Sequence, residues 1–401
     1  MNYIVREEEI LRAFYHAPER GILTKAFENG RWGAEETVVQ GARDNYTLTV
    51  HGGKTRLYVL CQDERGDVVL ATMSREGAWE QRSVLKNQAE KAHRILMHPM
   101  ITQNGMSLLY NIPAQEDGGQ FLVLQSLDEK GQWSRASRID KFYPMGEFLY
   151  EVQHVSDEHV LAFYQTRTTE LRFGYREATP WETGPYRPAH LCESGFTDVS
   201  CLTAENGVHF LCVVSGMFAS QLLYIRKEDV FSAPVVLCEG QRIEDCALSI
   251  VRGSVRAAFL INGQPYSCVS EDGGNTFSRP ARYRAKFCLG VKKAQFLSLP
   301  RQSESALFLR QVYVDADRPW DVQMIPDLYE DFYPLPKPQK PEEAEEPPER
   351  APESAAPPVY LYEGETLGSE LEIARMRLRK KENQISRLGG MLRENGGKNK
   401  S

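Results

Sequence analysis

Long apolar runs are missing from these 401 residues. The longest, such as Val208 to Val214, fall far short of the roughly 18 residues a membrane helix needs, so the chain reads as soluble. The opening Met1-Asn-Tyr-Ile-Val-Arg-Glu-Glu-Glu9 lacks both the basic start and the apolar centre of a secretory signal, which argues against export by that route. Positive charge is also scarce: 48 Lys and Arg against 55 Asp and Glu leave a net charge of −7. Such a surface repels a phosphate backbone, so no nucleic-acid partner is expected.

Ligand motifs are absent too. Eight cysteines (Cys61, Cys192, Cys201, Cys212, Cys238, Cys246, Cys268 and Cys288) never form Cys-x-x-Cys and sit mostly in apolar runs. They are expected to be buried thiols of a reducing, cytoplasmic compartment. His93, His98, His154 and His159 show no His-Glu-x-x-His spacing, so no metal site is expected. No Gly-rich loop runs into Lys-Ser or Lys-Thr, and no cofactor is expected. Glu116-Asp117-Gly118-Gly119 reads as a solvated hairpin turn rather than a cation loop.

What the sequence does have is a repeat. Aromatic residues after a polar turn recur at Trp32, Trp79, Trp133, Trp181, Phe231 and Phe277, at spacings of 47, 54, 48, 50 and 46. Between markers lie short extended runs such as Tyr46 to Val50, Arg56 to Cys61, Asp245 to Ile250 and Val255 to Ile261. Gly52-Gly53, Asn104-Gly105, Gly118-Gly119, Asn206-Gly207 and Asn262-Gly263 supply the positive φ of tight hairpins. Four short antiparallel strands every 45 to 55 residues, with no long helical pattern before the tail, predict an all-β, six-bladed β-propeller over residues 1–330. Seven blades are the alternative, since Trp320 continues the marker spacing.

Closure is expected by pairing of the chain's two ends. Ile22 to Phe27 and Trp32 to Val39 read as third and fourth strands without a first and second. Ala294 to Leu299 and Ala306 to Val314 read as the missing pair.

Ser270-Glu-Asp272-Gly-Gly274-Asn-Thr276-Phe277 resembles the Asp-box of bacterial neuraminidase repeats, Ser-x-Asp-x-Gly-x-Thr-Trp, with Phe for the final Trp. Ser126 to Trp133 is similar to a lengthened copy, and Ser74 to Trp79 to a degraded one. The resemblance implies a sialidase-like propeller in which Ser270, Asp272, Gly274, Thr276 and Phe277 brace a turn. Sialidases of this superfamily clamp a carboxylate with three arginines and use a Tyr, a Glu and an Asp. The Arg-Ile-Pro or Arg-Leu-Pro signature is missing, Leu299-Pro300-Arg301 has the reverse order, and no catalytic residue is carried over. The basic stretch Arg279 to Phe287, with Lys292 and Lys293, reads as an exposed outer strand.

From Pro334 to Pro358 nine prolines and six glutamates in 25 residues make a flexible, disordered linker. Val359 to Tyr362 is a small apolar island, and Ser369-Glu-Leu-Glu372 resembles a capping box opening a helix over 366–395. Leu371, Ala374, Leu378, Ile385, Leu388 and Leu392 form a heptad seam, interrupted by Lys381 and weakened by Gly389-Gly390. The seam predicts self-association as a short coiled coil, with docking to a protein partner second. An anionic membrane surface comes third, because Arg375, Arg377, Arg379, Lys380 and Lys381 make its flank basic.

The sequence therefore reads as a non-catalytic interaction scaffold. The alternative is a sialidase-like hydrolase or a glycan-binding propeller. A channel mouth rich in Arg, Tyr, Glu and Asp favours that alternative, and a bland mouth favours the scaffold.

Overall fold

The computed structural model describes residues 2–323 except 8–9, 51–54, 75, 88–92, 103–104, 115–117, 129–131, 145–149, 155–159, 166–172, 179–195, 205–206, 216–218, 229, 241, 252, 283–289 and 300–306. The linker, the apolar island, the heptad seam, Trp181, the Gly52-Gly53 turn and most of the basic stretch lie outside the described residues.

Every regular element among the described residues is a strand. The first group is β1 (Tyr3–Glu7), β2 (Ile10–Ala17), β3 (Gly21–Glu28), β4 (Arg31–Trp32) and β5 (Glu36–Val39). Next come β6 (Thr47–Val50), β7 (Thr55–Gln62), β8 (Val68–Ser74) and β9 (Trp79–Leu85), then β10 (Met97–Thr102), β11 (Gly105–Pro113), β12 (Gln120–Leu127) and β13 (Ser137–Phe142). They are followed by β14 (Tyr150–His154), β15 (Val160–Gln165) and β16 (Phe173–Ala178), and by β17 (Phe196–Ala204), β18 (Gly207–Ser215), β19 (Ser220–Lys227) and β20 (Val235–Gly240). The last are β21 (Ile243–Val251), β22 (Ser254–Ile261), β23 (Gln264–Ser270), β24 (Ala281–Arg282), β25 (Val291–Leu299), β26 (Leu307–Leu309), β27 (Gln311–Asp315) and β28 (Val322–Gln323).

Strands β6–β9, β10–β13, β14–β16 and β17–β20 each form an antiparallel meander, and β21–β24 form another that gains β26 at its edge. Short hairpins set each register. At Asn262-Gly263 both residues hold positive φ, 51° and 74°, the geometry of a two-residue hairpin whose twist matches its strands.

The remaining strands make one eight-stranded sheet, in which β1 pairs antiparallel with β2 and parallel with β25, Tyr3 opposite Gln295 through Glu7 opposite Leu299. The sheet folds back at this parallel seam. Ile4, Leu11 and Ala13 from one half share a core with Ala294, Phe296, Val312 and Val314 from the other. Trp320 closes the outer end, with its ring 5.3 Å from Tyr15 and Lys25 Nζ 3.9 Å above it.

Two expectations are corrected here. The N-terminal segment does not lack a first and second strand: β1 and β2 supply them. Tyr3, Ile4 and Val5 are all buried, because β1 is covered on both faces, so the strand lacks the alternation that marks a half-exposed one. The single run expected over Ala306 to Val314 is two strands, with β26 on β21 and β27 on β25. Arg310 separates them.

Three of the marker aromatics, Trp79, Trp133 and Phe277, are wedges between neighbouring sheets. Trp79 meets Phe14 edge-on at 6.1 Å, and Trp133 donates from Nε1 to the Val84 carbonyl at 2.6 Å. Phe277 meets Tyr224 at 4.8 Å, and Trp32 packs into the seam core. Trp79, Trp133 and Phe277 thus reach back to the preceding group of strands, whereas Phe231 meets Phe210 of its own sheet at 5.9 Å.

Candidate functional site

The first strands of successive groups run side by side, and polar side chains rung them together near their starts. Asp198 on β17 accepts from the Cys246 amide of β21 through Oδ2 at 2.7 Å. Two residues on, Ser200 Oγ accepts from the Leu248 amide at 2.9 Å. Asp245 Oδ2 in turn accepts from the Lys293 amide of β25 at 3.3 Å. The other side of the ladder uses amides instead: Gln62 Oε1 accepts from the Ile95 amide at 2.8 Å and Asn111 Oδ1 from the Leu96 amide at 2.7 Å.

One ammonium ties three groups of strands. Lys293 Nζ lies 2.5 Å from Asp198 Oδ1, reaching past β21 to do so, and donates to the Cys246 carbonyl at 3.2 Å. Tyr313 on β27 donates to the Asp245 carbonyl at 2.5 Å. Register shifts occur at Phe196/Asp198 on β17 and at Glu244/Ala247 on β21. Such bulges re-aim side chains at the rim of a sheet. Asp245 also holds φ at 53°, which its side chain tolerates better than most.

The electrostatics follow from this crowding. Burial pushes the Asp245 carboxyl above its ordinary range, against the pull of Lys293. Burial likewise pushes the Cys246 thiol and the Tyr313 phenol up, so both stay neutral. Asp198, Asp245 and Lys293 thus form a charged, half-buried cluster near the start of three first strands, backed by the buried Tyr313 of β27. The sequence could not flag it, since Asp198 and Lys293 are 95 residues apart.

The Ser270 to Phe277 turn is a separate structure. Asp272 Oδ1 accepts from the Asn275 amide at 3.0 Å, the Thr276 amide at 2.9 Å and Ser270 Oγ at 2.7 Å, and Oδ2 accepts from Thr276 Oγ1 at 2.6 Å. Those donors, led by the Thr276 hydroxyl, hold its carboxyl well below the usual range. Arg226 of β19 donates to the Gly273 carbonyl at 2.9 Å, docking the turn on the preceding sheet. All the donors to the carboxylate come from the turn itself. It braces a hairpin and presents no cluster of reactive groups.

Beneath the turn, Tyr224 Oη lies 2.6 Å from Nδ1 of the fully buried His209. Burial, helped by Arg226, lowers the His209 pKa to about 4. The unfolded chain titrates near 6.5, so it binds the proton first as pH falls. The neutral-His contribution is complete above pH 6.5 and is lost toward pH 4, of the order of 3 kcal/mol. His98, also lowered to about 4 by burial, adds in the same direction. Denaturant midpoints are expected to fall steeply between pH 6.5 and 4 and to fall less in His209→Gln. Identical pH profiles would refute the assignment.

The six described cysteines, Cys61, Cys201, Cys212, Cys238, Cys246 and Cys268, are free thiols, five of them buried. Among the described residues no three His, Cys, Asp or Glu side chains converge as a metal site. Arg279 and Arg282 are exposed.

No protein-family model matches the chain, and no curated protein sequence matches it. Solved structures do. A polysaccharide lyase, an ulvan lyase bound to a sulfated glucuronate–rhamnose repeat, aligns over 81% of this chain and 94% of its own at 11% identity and a TM-score of 0.53. The fucose-specific lectin of Aleuria aurantia, described as a six-bladed propeller, aligns over 70% and 94% at 10% identity and a TM-score of 0.41. AofleA from Arthrobotrys oligospora aligns over 70% and 85% at 11% identity and a TM-score of 0.46. The successive antiparallel meanders are the sheets of a β-propeller, and the likeness to the lyase is one of fold alone.

Proposed function

We propose that the protein is a carbohydrate-binding propeller that receives its ligand where the first strands begin. The observation that carries this reading is the Asp198, Asp245, Lys293 and Tyr313 cluster, a charged and hydrogen-bonding mouth instead of a bland one. Sugars are recognised by a few convergent polar groups on a rigid frame, which this mouth offers. The lyase that shares the fold acts on a polysaccharide and gives the reading a precedent. This puts glycan binding ahead of the interaction scaffold. The full chain is expected to be retained on at least one immobilised polysaccharide across a neutral and anionic panel. Recovery of proteins and no glycan from affinity capture would overturn the reading.

The ring in this proposal has seven blades, one more than the marker count alone suggests. Support comes from the seam, where β1–β5 and β25–β28 pack face to face as neighbours, and from Trp320 as a seventh marker. The heptad spacing from Leu371 to Leu392 supports self-association of the tail. Equal monomeric masses by light scattering for the full chain and for residues 1–335 would rule that out.

A further inference from the structure

The outer strand of the sheet β10–β13 gathers two cations on one aromatic ring. Arg138 of β13 is exposed, and its guanidinium carbon lies 4.5 Å from the centre of the Phe121 ring. Lys141 Nζ lies 5.8 Å from the same ring and 5.7 Å from that of Tyr143. In a regular strand, positions three apart point to opposite faces. Here the register shifts between Leu122 and Val123, so Arg138 stands opposite Val123 and Lys141 opposite Phe121, both on one face. Asp140, the one acid of the strand, stands opposite Leu122 on the other face and accepts from the Lys141 amide at 2.7 Å. Strand β12 contains no acidic residue, and among the described residues Arg138 forms no ion pair.

Phe121 is not a core residue. The apolar cores on the two sides of this sheet take Leu122 and Leu124 on one and Leu127 on the other, and Phe121 belongs to neither. Two like charges beside one ring repel each other, and the ring's negative face offsets only part of that cost. An anion offsets the rest. The pairings Met97–Tyr110, Pro113–Gln120 and Gln120–Phe142 put Phe121 and Lys141 at the end of the sheet where its first strand begins. Later sheets carry Asp198, Asp245 and Lys293 at that same end. The outer strands elsewhere differ in charge: β5 brings Glu36, β9 balances Glu80 with Arg82, and β20 brings Glu239. In a chain of net charge −7, β13 is a local exception.

We infer that this rim patch is a subsite for an acidic sugar residue of a polysaccharide, a uronate or a sulfate ester, with Arg138 and Lys141 as its contacts. The inference rests on the carbohydrate reading above and adds the charge of the ligand. Arg138 offers a planar fork that meets a carboxylate or sulfate through two parallel hydrogen bonds. Its place over the Phe121 ring holds that fork ready, which lowers the ordering cost of binding. Lys141, within reach of two rings, adds a second charge on the same face.

Titration calorimetry of the full chain against polygalacturonate and dextran sulfate tests this, with neutral dextran, inorganic sulfate and polyglutamate as comparisons. At least one acidic polysaccharide is expected to bind, more weakly as salt is raised. The double variant Arg138→Gln, Lys141→Gln is expected to weaken that binding at least tenfold at an unchanged melting temperature, and Arg138→Lys to lose a smaller share. Arg82→Gln removes an exposed charge from β9 and is expected to leave binding unchanged. Full affinity in the double variant, or an equal loss in Arg82→Gln, would overturn the subsite while leaving the carbohydrate reading intact. Binding of dextran alone would overturn the ligand's charge and leave that reading intact too. Inorganic sulfate or polyglutamate binding as tightly as the acidic polysaccharides would overturn the sugar assignment of the patch. Failure of every polysaccharide would overturn both.

Discussion

Deleting residues 1–9 is expected to abolish the cooperative unfolding transition of the chain and to leave an aggregating species. Strand β1 buries Tyr3, Ile4 and Val5 almost completely, at 5%, 1% and 0% exposure. At about 2 kcal/mol for each fully buried side chain, their loss removes about 6 kcal/mol, comparable with the 5–15 kcal/mol that holds a typical domain together. The deletion also strips the pairing edges of β2 and β25 at once. Both edges then invite intermolecular pairing. Ile4→Ala is the graded version, expected to cost about 2–5 kcal/mol with the transition still cooperative. A calorimetric transition in the deletion protein with the full-length enthalpy would show that the seam is dispensable.

Gly274→Ala is expected to destabilise the protein by about 4 kcal/mol, well beyond the ordinary cost of a strained backbone. A Cβ built at Gly274 falls 1.9 Å from Tyr224 Oη and 2.5 Å from Cζ, on a residue whose φ is +99°. Tyr224 cannot step aside, since it is 1% exposed, held at 2.6 Å to His209 and packed edge-on against Phe277. Gly77→Ala provides the comparison. Its φ is +84° with nothing within 4 Å of the new Cβ, so it reports the backbone penalty alone, about 1–2 kcal/mol. Denaturant midpoints of the two variants decide the matter. Equal losses would mean that Tyr224 yields freely and that the turn is not wedged against its neighbour.

The Ser270 to Phe277 turn could be read from sequence because its bonding is local: Asp272 finds all its donors within four residues. Trp79, Trp133 and Phe277 were legible for a related reason, since each is a large ring that meets the preceding sheet just after a polar turn. Strand β1 was not. Its residues are buried on both faces and end in Arg6 and Glu7, so neither alternation nor a clean apolar run announces it. The Asp198–Lys293 pair was out of reach as well, because it gains meaning only from strands brought together by ring closure. The turn that resembles an Asp-box braces a hairpin and leaves the ligand unnamed, and Asp198, Asp245 and Lys293 carry no motif.

The parallel pairing of β1 with β25 also sets a timetable for synthesis. At ribosomal rates of about 5–20 residues per second, the first strand waits roughly 15–60 seconds for its partner to emerge. Intermediate blades can form meanwhile as local hairpins, but the pairing of β1 with β25 joins strands far apart in the sequence. The nascent chain therefore carries β1, paired only with β2, with its other edge open until about 290 further residues have been made. An open edge on a buried strand invites pairing with another chain for as long as the wait lasts.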